Sequence, residues 1–174
     1  QTPVRRVART ADHVTITHAG GTETFDEVIF ACHSDQALRI LDQPTAIESE
    51  ILSHFPYQEN DTVLHIDTSV LPRSRHAWGS WNYHLGRLSE RGASVTYNMN
   101  LLQSLKSKTT FCVSLNEEGI RDDRIIRRIR YHHPVFKTGR EQMQARHNEL
   151  IRHRRSSYCG AYWGFGFHED GVRS

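Results

Sequence analysis

GAYWGFGFHEDGVRS, residues 160–174, closes the chain and carries its most specific pattern. Ser157 to Trp163 reads as a strand, Gly164 and Gly166 soften a turn, and Glu169-Asp170 bring acids to the first turn of a helix. A helix start exposes backbone N–H groups and a partial positive charge, so it suits a phosphate or the electron-rich edge of a ring. Glycines in front of it let a planar ligand approach the backbone closely. Strand, glycine turn and acid-led helix are the grammar of an α/β layer.

The opposite end of the chain speaks the same grammar. Val4 and Val7, then Val14 and Ile16, alternate as strands do, and Gly20-Gly21 makes a turn. Phe25 to Ala31 is a nearly continuous apolar run, expected to be a strand buried on both faces in a parallel or central position. Ser34 is placed to cap a short helix through Ala37, Leu38 and Leu41.

Pro44 interrupts this pattern, and Thr45 with Glu48 forms a capping box. Ile47, Ile51, Leu52 and Phe55 then line one face of a helix ending before Pro56. Beyond it, Thr62 to Ser69, Ala93 to Met99, Thr110 to Leu115 and Ile125 to His132 read as strands without helical crossovers, which predicts an antiparallel sheet. Thr138 to Arg152 is expected to be a helix carrying Met143, His147 and Leu150 or Ile151 on one side. The expected fold class is α+β, with an antiparallel-sheet domain and flanking helices (43–152) inserted into part of an α/β domain (1–42 and 153–174).

Bulk composition narrows the function classes. The 174 residues are 37% hydrophobic and 24% charged, as in an ordinary globular protein. No stretch approaches a membrane span and no signal pattern opens the chain, so a cytoplasmic protein is expected. A start at Gln1, with ordered-looking chain from Pro3, suggests a piece of something longer. The net charge of +2 does not call for nucleic acid, and the arginine clusters at 124–130 and 152–155 read as solvated faces. Cys32, Cys112 and Cys159 are far apart, in apolar contexts that favour reduced, packed thiols. Twelve histidines include no HExxH, and adjacent His132-His133 point to opposite faces of a strand, so no metal site is expected. No G-x-S-x-G elbow supports a serine hydrolase.

The closing stretch resembles the C-terminal flavin-contacting motif of the flavin-containing amine oxidase superfamily. It is most similar to bacterial FAD/NAD-binding, amine-oxidase-like proteins whose last motif reads close to YWGYGFHEDG. The resemblance implies FAD as cofactor, with Phe167 facing the flavin and the His168 backbone N–H at its pyrimidine edge. It places Glu169 at the helix start, and Gly164 and Gly166 where the ring comes close. Pro3-Val4 resembles the pair that touches the adenine end, through the Val4 backbone. LHIDTSVLP (64–72), SVTYNMNLLQSL (94–105), YHHPVF (131–136) and the region of Gln144 to His147 resemble the substrate domain. The implied domains are therefore FAD-binding over 1–42 and 153–174, and substrate-binding over 43–152.

Two features depart from the pattern. No complete dinucleotide fingerprint is present, since Gly164-x-Gly166-x-x-Glu169 lacks the third glycine. In the family that fingerprint lies upstream, so the chain alone is expected to be inactive. Amine oxidases also place a lysine near the reactive flavin nitrogen, and alignment from Pro56 puts Thr62 there. Dehydrogenation of a small or apolar substrate thus stands beside amine oxidation. His65 and Asp67, two apart on a strand, are candidates either for proton handling or for a structural polar pair. Trp78, Trp81 and Tyr83 either wall an apolar cavity or pack beneath a loop. The alternative function is a non-catalytic interaction or scaffold domain that keeps the fold and binds no cofactor.

Overall fold

The computed structural model describes residues 2–85 and 94–174, in two compact units: residues 1–58 with 134–174, and residues 59–133. The first unit opens with an antiparallel meander of β1 (Val4–Arg9), β2 (Val14–His18) and β3 (Gly21–Phe25). Gly21 has φ +136° and open space where a Cβ would project, so backbone freedom accounts for the glycine. β3 is exposed along its whole length, and its Thr-Glu-Thr centre gives no alternating signal.

The apolar run after it is not one strand buried on both faces. The chain bends at Asp26-Glu27 and resumes as β4 (Val28–Phe30), where Phe30 is buried but Ile29 is 69% exposed. Helix α1 (Ser34–Ile40) follows, preceded by His33. The Ser34 hydroxyl does not cap it. It is buried and donates to the Phe55 carbonyl at 3.0 Å, because Ser34 already lies inside the helix.

Helix α2 (Ala46–Ser53) has the expected capping box. Thr45 Oγ1 accepts from the Glu48 N–H at 3.3 Å, and the Thr45 N–H donates to Glu48 Oε2 at 2.7 Å. Ile51, Leu52 and Phe55 join Val7, Ala37 and Tyr158 in one buried cluster. That packing places α2 in the first unit, so the unit boundary falls after residue 58 rather than near 42. The return falls at 134 rather than 153 for the same reason, since Leu150 is fully buried in that cluster.

Glu48 also anchors the core electrostatically. It pairs with the Arg9 guanidinium and accepts from the Tyr158 hydroxyl at 2.7 Å, with both ion-pair side chains almost wholly buried. Burial alone would raise the Glu48 pKa, but Arg9, Thr45 and Tyr158 together hold it down to about 2.

The second unit holds most of a five-stranded sheet, ordered β6-β7-β8-β5-β9. Its strands are β5 (Tyr57–His65), β6 (Trp81–His84), β7 (Ser94–Asn98), β8 (Cys112–Leu115) and β9 (Ile125–Pro134), with the short helix α3 (Met99–Leu102) between β7 and β8. The β6–β7, β7–β8 and β8–β5 pairs are antiparallel, as expected. β6 occupies what the sequence suggested was an aromatic loop. Ala93, the expected start of one strand, lies outside the described residues.

Back in the first unit, the single helix expected over 138–152 divides into α4 (Arg140–Gln144) and a 3-10 turn at His147–Leu150. Its bonds tighten from Ala145 N–H to the Glu141 carbonyl, to Arg146 N–H with Met143 and Glu149 N–H with Arg146. The closing strand β10 is only Ser156–Tyr158, parallel to β4. A 3-10 turn at Ala161–Trp163 and helix α5 (His168–Arg173) complete the chain. The fold is thus mixed α and β with antiparallel sheets. No helix among the described residues is long and apolar enough to cross a membrane.

Candidate functional site

β4 and β10 run parallel, so their carboxyl ends open at the same place. In parallel α/β layers ligands bind outside the carboxyl ends of the strands. After β4 come Ala31, Cys32 and His33; after β10 come Cys159 and Gly160, tied back by Cys159 N–H to the Phe30 carbonyl at 3.0 Å. Two clefts of the first unit meet at Ala31 and Cys32. One, about 220 Å³, is lined also by His33, Tyr57, Tyr162 and Gly166. The other, about 550 Å³, runs past Val4, Val28, Ile29 and Gln36. Val4 and Gly166, from opposite ends of the sequence, therefore lie in adjoining clefts on either side of the β4 terminus.

The glycine turn is held from behind. The Arg140 guanidinium donates to the Gly164 carbonyl at 2.9 Å and lies 3.8 Å over the Phe136 ring. Gln144 Nε2 donates to the carbonyls of Tyr162 and Gly164, each at 2.8 Å. Asp170 Oδ2 accepts the N–H groups of Phe165 at 3.0 Å and Phe167 at 2.9 Å. Arg140 and Tyr57 were not singled out from the sequence, Gln144 was named only within a stretch resembling the substrate domain, and Asp170 only as an acid of the first helical turn. Only Asp170, three residues after Phe167, had a readable signal there.

The two glycines differ in role. A Cβ at Gly164 would overlap the Asp170 carboxylate, so Gly164 serves the internal cap. Gly166 has φ +91° and would meet only the tip of Phe136, at 3.4 Å. Its constraint is the backbone conformation, and it lines the smaller cleft. Phe167 is 61% exposed, while His168 and Glu169 begin α5. Their N–H groups find no partner among the described residues, and the Glu169 carboxylate instead pairs with Arg173 at 2.8 Å.

The smaller cleft is aromatic. His33 stacks on Tyr57 at 4.0 Å between centroids. Burial pushes the Tyr57 phenol up to about 12 and raises the Cys32 thiol. The Tyr162 hydroxyl is also raised by burial and has no hydrogen-bond partner among the described residues. Such an aromatic lining suits a planar ligand.

His65 and Asp67 sit in the second unit, both buried. Asp67 follows β5, and its N–H donates to His65 Nδ1 at 3.2 Å. An amide only donates, so the ring proton is on Nε2, which donates to Ser114 Oγ at 2.8 Å; that hydroxyl meets Thr96 Oγ1 at 2.7 Å. Burial lowers the His65 pKa and keeps the ring neutral. Asp67 accepts from the N–H groups of Ser69 and Arg121. Every side-chain polar atom of the pair thus has a partner within the protein, as in a structural polar pair. Thr62, on the opposite face of β5, is buried with its hydroxyl unpartnered among the described residues. The described residues contain no His/Cys/Asp/Glu cluster with metal-binding geometry.

No protein-family model and no curated protein matches the chain. Solved structures do. A CLA-producing fatty acid isomerase from P. acnes aligns over 99% of this chain with TM-score 0.62 and 12% identity, and a putrescine oxidase variant redesigned for cofactor binding over 99% with TM-score 0.62 and 9% identity. Cyclohexylamine oxidase from Brevibacterium oxydans IH-35A aligns over 98% with TM-score 0.53 and 10% identity. This is the amine-oxidase-type fold. At these identities the likeness is one of fold alone. The chain spans 45%, 46% and 45% of those three solved chains, less than half of each. Both units fall within the aligned stretch.

Proposed function

We propose that this chain is the C-terminal part of an FAD-dependent oxidoreductase of the amine-oxidase type. The observation that carries the proposal is the pair of clefts meeting at the carboxyl ends of parallel β4 and β10, with Val4 beside one and Gly166 beside the other. An elongated dinucleotide suits two adjoining clefts better than a compact ligand does. The residues present fit the flavin part: an aromatic lining, a glycine at φ +91° and, without partners among the described residues, the Tyr162 hydroxyl and two N–H groups at the start of α5.

In this reading the backbone at Val4 meets the adenine end, and Gly166, Phe167 and the His168 N–H meet the flavin. Glu169 opens the helix, while Gly164 supports the turn through Asp170. The pyrophosphate cradle belongs to a further segment, because no complete glycine fingerprint occurs in these 174 residues. FAD, when bound, supplies hydride acceptance. The chain's own residues orient the ring, with His33 beside the smaller cleft and Arg39 beside the larger.

The second unit is proposed as the substrate-binding part. Trp81, Tyr97, Val113 and Leu64 form one cross-strand row over four strands, with Trp81 edge-on to Tyr97 at 5.4 Å. A partly exposed apolar row favours an apolar organic substrate, for which oxidation or dehydrogenation is the reaction expected. Thr62 at the position where the resemblance expects a lysine points away from amines.

The test compares two variants of the longer flavoprotein. Gly166→Val should lose flavin while the near-UV dichroism of the fold persists. His168→Ala should keep it, since the inferred contact is through the backbone. Full flavin retention in Gly166→Val would remove the closing motif from the cofactor site.

A further inference from the structure

The loop between β7 and β8 in the second unit presents leucines to solvent from a braced backbone. Leu101, Leu102 and Leu105 are 50%, 45% and 39% exposed. Slackness does not explain that exposure. Asn98 is buried and its Oδ1 caps α3 through the N–H groups of Asn100 at 3.1 Å and Leu101 at 3.3 Å. Asn100 then ties the loop to itself. Its Nδ2 donates to the carbonyls of Ser107 at 3.3 Å and Thr109 at 2.8 Å, and its Oδ1 accepts the Phe111 N–H at 2.8 Å. Ser104 takes φ +53°, a left-handed conformation that a serine adopts only when the surroundings impose it.

The charge around this tip has one sign. Lys106 and Lys108 follow Leu105 directly, are exposed, and are two of the three lysines in the chain. No aspartate or glutamate occurs between residues 94 and 116. Acids near the far edge of the sheet, Asp122 and Asp123, face Arg128 at 3.6 Å and Arg124 at 3.2 Å. Trp81, 62% exposed, stands at the same sheet end, where the Asn98 N–H meets the Ser80 carbonyl at 3.0 Å. Adjacent leucines to enter an acyl layer, lysines to meet headgroups, and a tryptophan at the boundary are the components of interfacial membrane binding.

We propose that the Met99–Lys108 loop seats the protein on an anionic lipid bilayer surface. The leucines enter the headgroup–acyl boundary and the lysines meet lipid phosphates, with no segment crossing the bilayer. The lysines decide between occupants: a second copy of this chain would bring identical cations against them, whereas an anionic surface neutralises both.

The experiment is co-sedimentation of the 174-residue chain with vesicles of phosphatidylcholine alone or mixed with phosphatidylglycerol, at low and high salt. Each lysine near an anionic surface strengthens binding about fivefold, so the anionic vesicles should bind roughly 30-fold tighter. High salt should erase most of that preference. Reversing Lys106 and Lys108 to glutamate should abolish it. Leu101→Ser with Leu102→Ser and Leu105→Ser should weaken anionic binding at least about tenfold with unchanged far-UV dichroism. Leu102→Ser alone, at an exposed position, should give a smaller loss in the same direction and guards against misfolding of the triple variant. Absence of binding to either vesicle, equal binding to both, or anionic binding untouched by both sets of substitutions would overturn the proposal. A leucine-dependent dimer in sedimentation velocity without lipid would replace it with self-association.

Discussion

Replacing Glu48 with glutamine should cost the first unit several kcal/mol although it changes one atom. The carboxylate is wholly buried and is the counter-charge of Arg9, whose side chain is only 4% exposed. Glutamine leaves that guanidinium buried without its anion, and breaking a buried pair from one side costs about 3–5 kcal/mol. The pKa of Glu48 gives an independent route to the same size. A carboxylate held at about 2 in the fold against an ordinary 4.5 corresponds to about 3 kcal/mol of stabilisation by linkage. The sign follows from the depressed value: the stabilisation is complete above pH 4.5 and is lost as pH falls towards 2. Urea unfolding at pH 7, followed by near-UV dichroism, should show the loss. The deficit of Glu48→Gln should shrink when wild type and variant are compared again near pH 3, because the unfolded wild-type carboxylate is then largely protonated and must release its proton on folding. Glu48→Leu combined with Arg9→Met should recover most of the stability, since no charge is then left buried. A Glu48→Gln protein within about 0.5 kcal/mol of wild type at pH 7 would show that Arg9 finds water or another partner, and would refute the reasoning.

Three shorter predictions follow from the turn and the polar pair. Gly164→Ala should destabilise the closing segment by roughly 1–3 kcal/mol, as overpacking does, and raise amide exchange at Phe165 and Phe167, because the new methyl displaces the Asp170 cap. Arg140→Met should loosen the 162–164 turn through loss of the Gly164 carbonyl contact, read as faster proteolysis there, with the second unit's sheet unaffected. His65→Phe should destabilise the second unit by about 1–3 kcal/mol, since Ser114 and the Asp67 N–H lose buried partners, with no change in flavin affinity of the longer protein.

Local chemistry explains what the sequence disclosed. The Thr45 capping box, the Gly20-Gly21 turn and the antiparallel strands each rest on a few adjacent residues, and each formed as expected. The misreadings came from interactions distant in sequence. Ser34 fell inside α1 rather than at its cap, and its hydroxyl instead donates to the Phe55 carbonyl, twenty-one residues on. The 25–31 run looked buried on both faces because hydrophobicity cannot show that β4 pairs only with β10 among the described residues. β6 was missed because Trp81 and Tyr83 are exposed and mimic loop aromatics. At the candidate site, Gly166, which lines the smaller cleft, was named by the closing motif. Arg140 and Gln144 were not, since a polar helix face carries no sign that two of its members reach the Tyr162 and Gly164 carbonyls.

In the proposed reading this chain completes an FAD site that it does not contain whole. Flavin stoichiometry measures it most directly: visible flavin absorbance per polypeptide after gel filtration with added FAD, for the 174-residue chain and for a chain of the neighbours' full length that ends in it. The account predicts about one tightly held flavin per longer polypeptide, with a spectrum shifted from that of free FAD, and none retained by the shorter chain. A longer polypeptide that emerges folded and colourless would contradict it, and would favour a scaffold that has kept the fold without the cofactor.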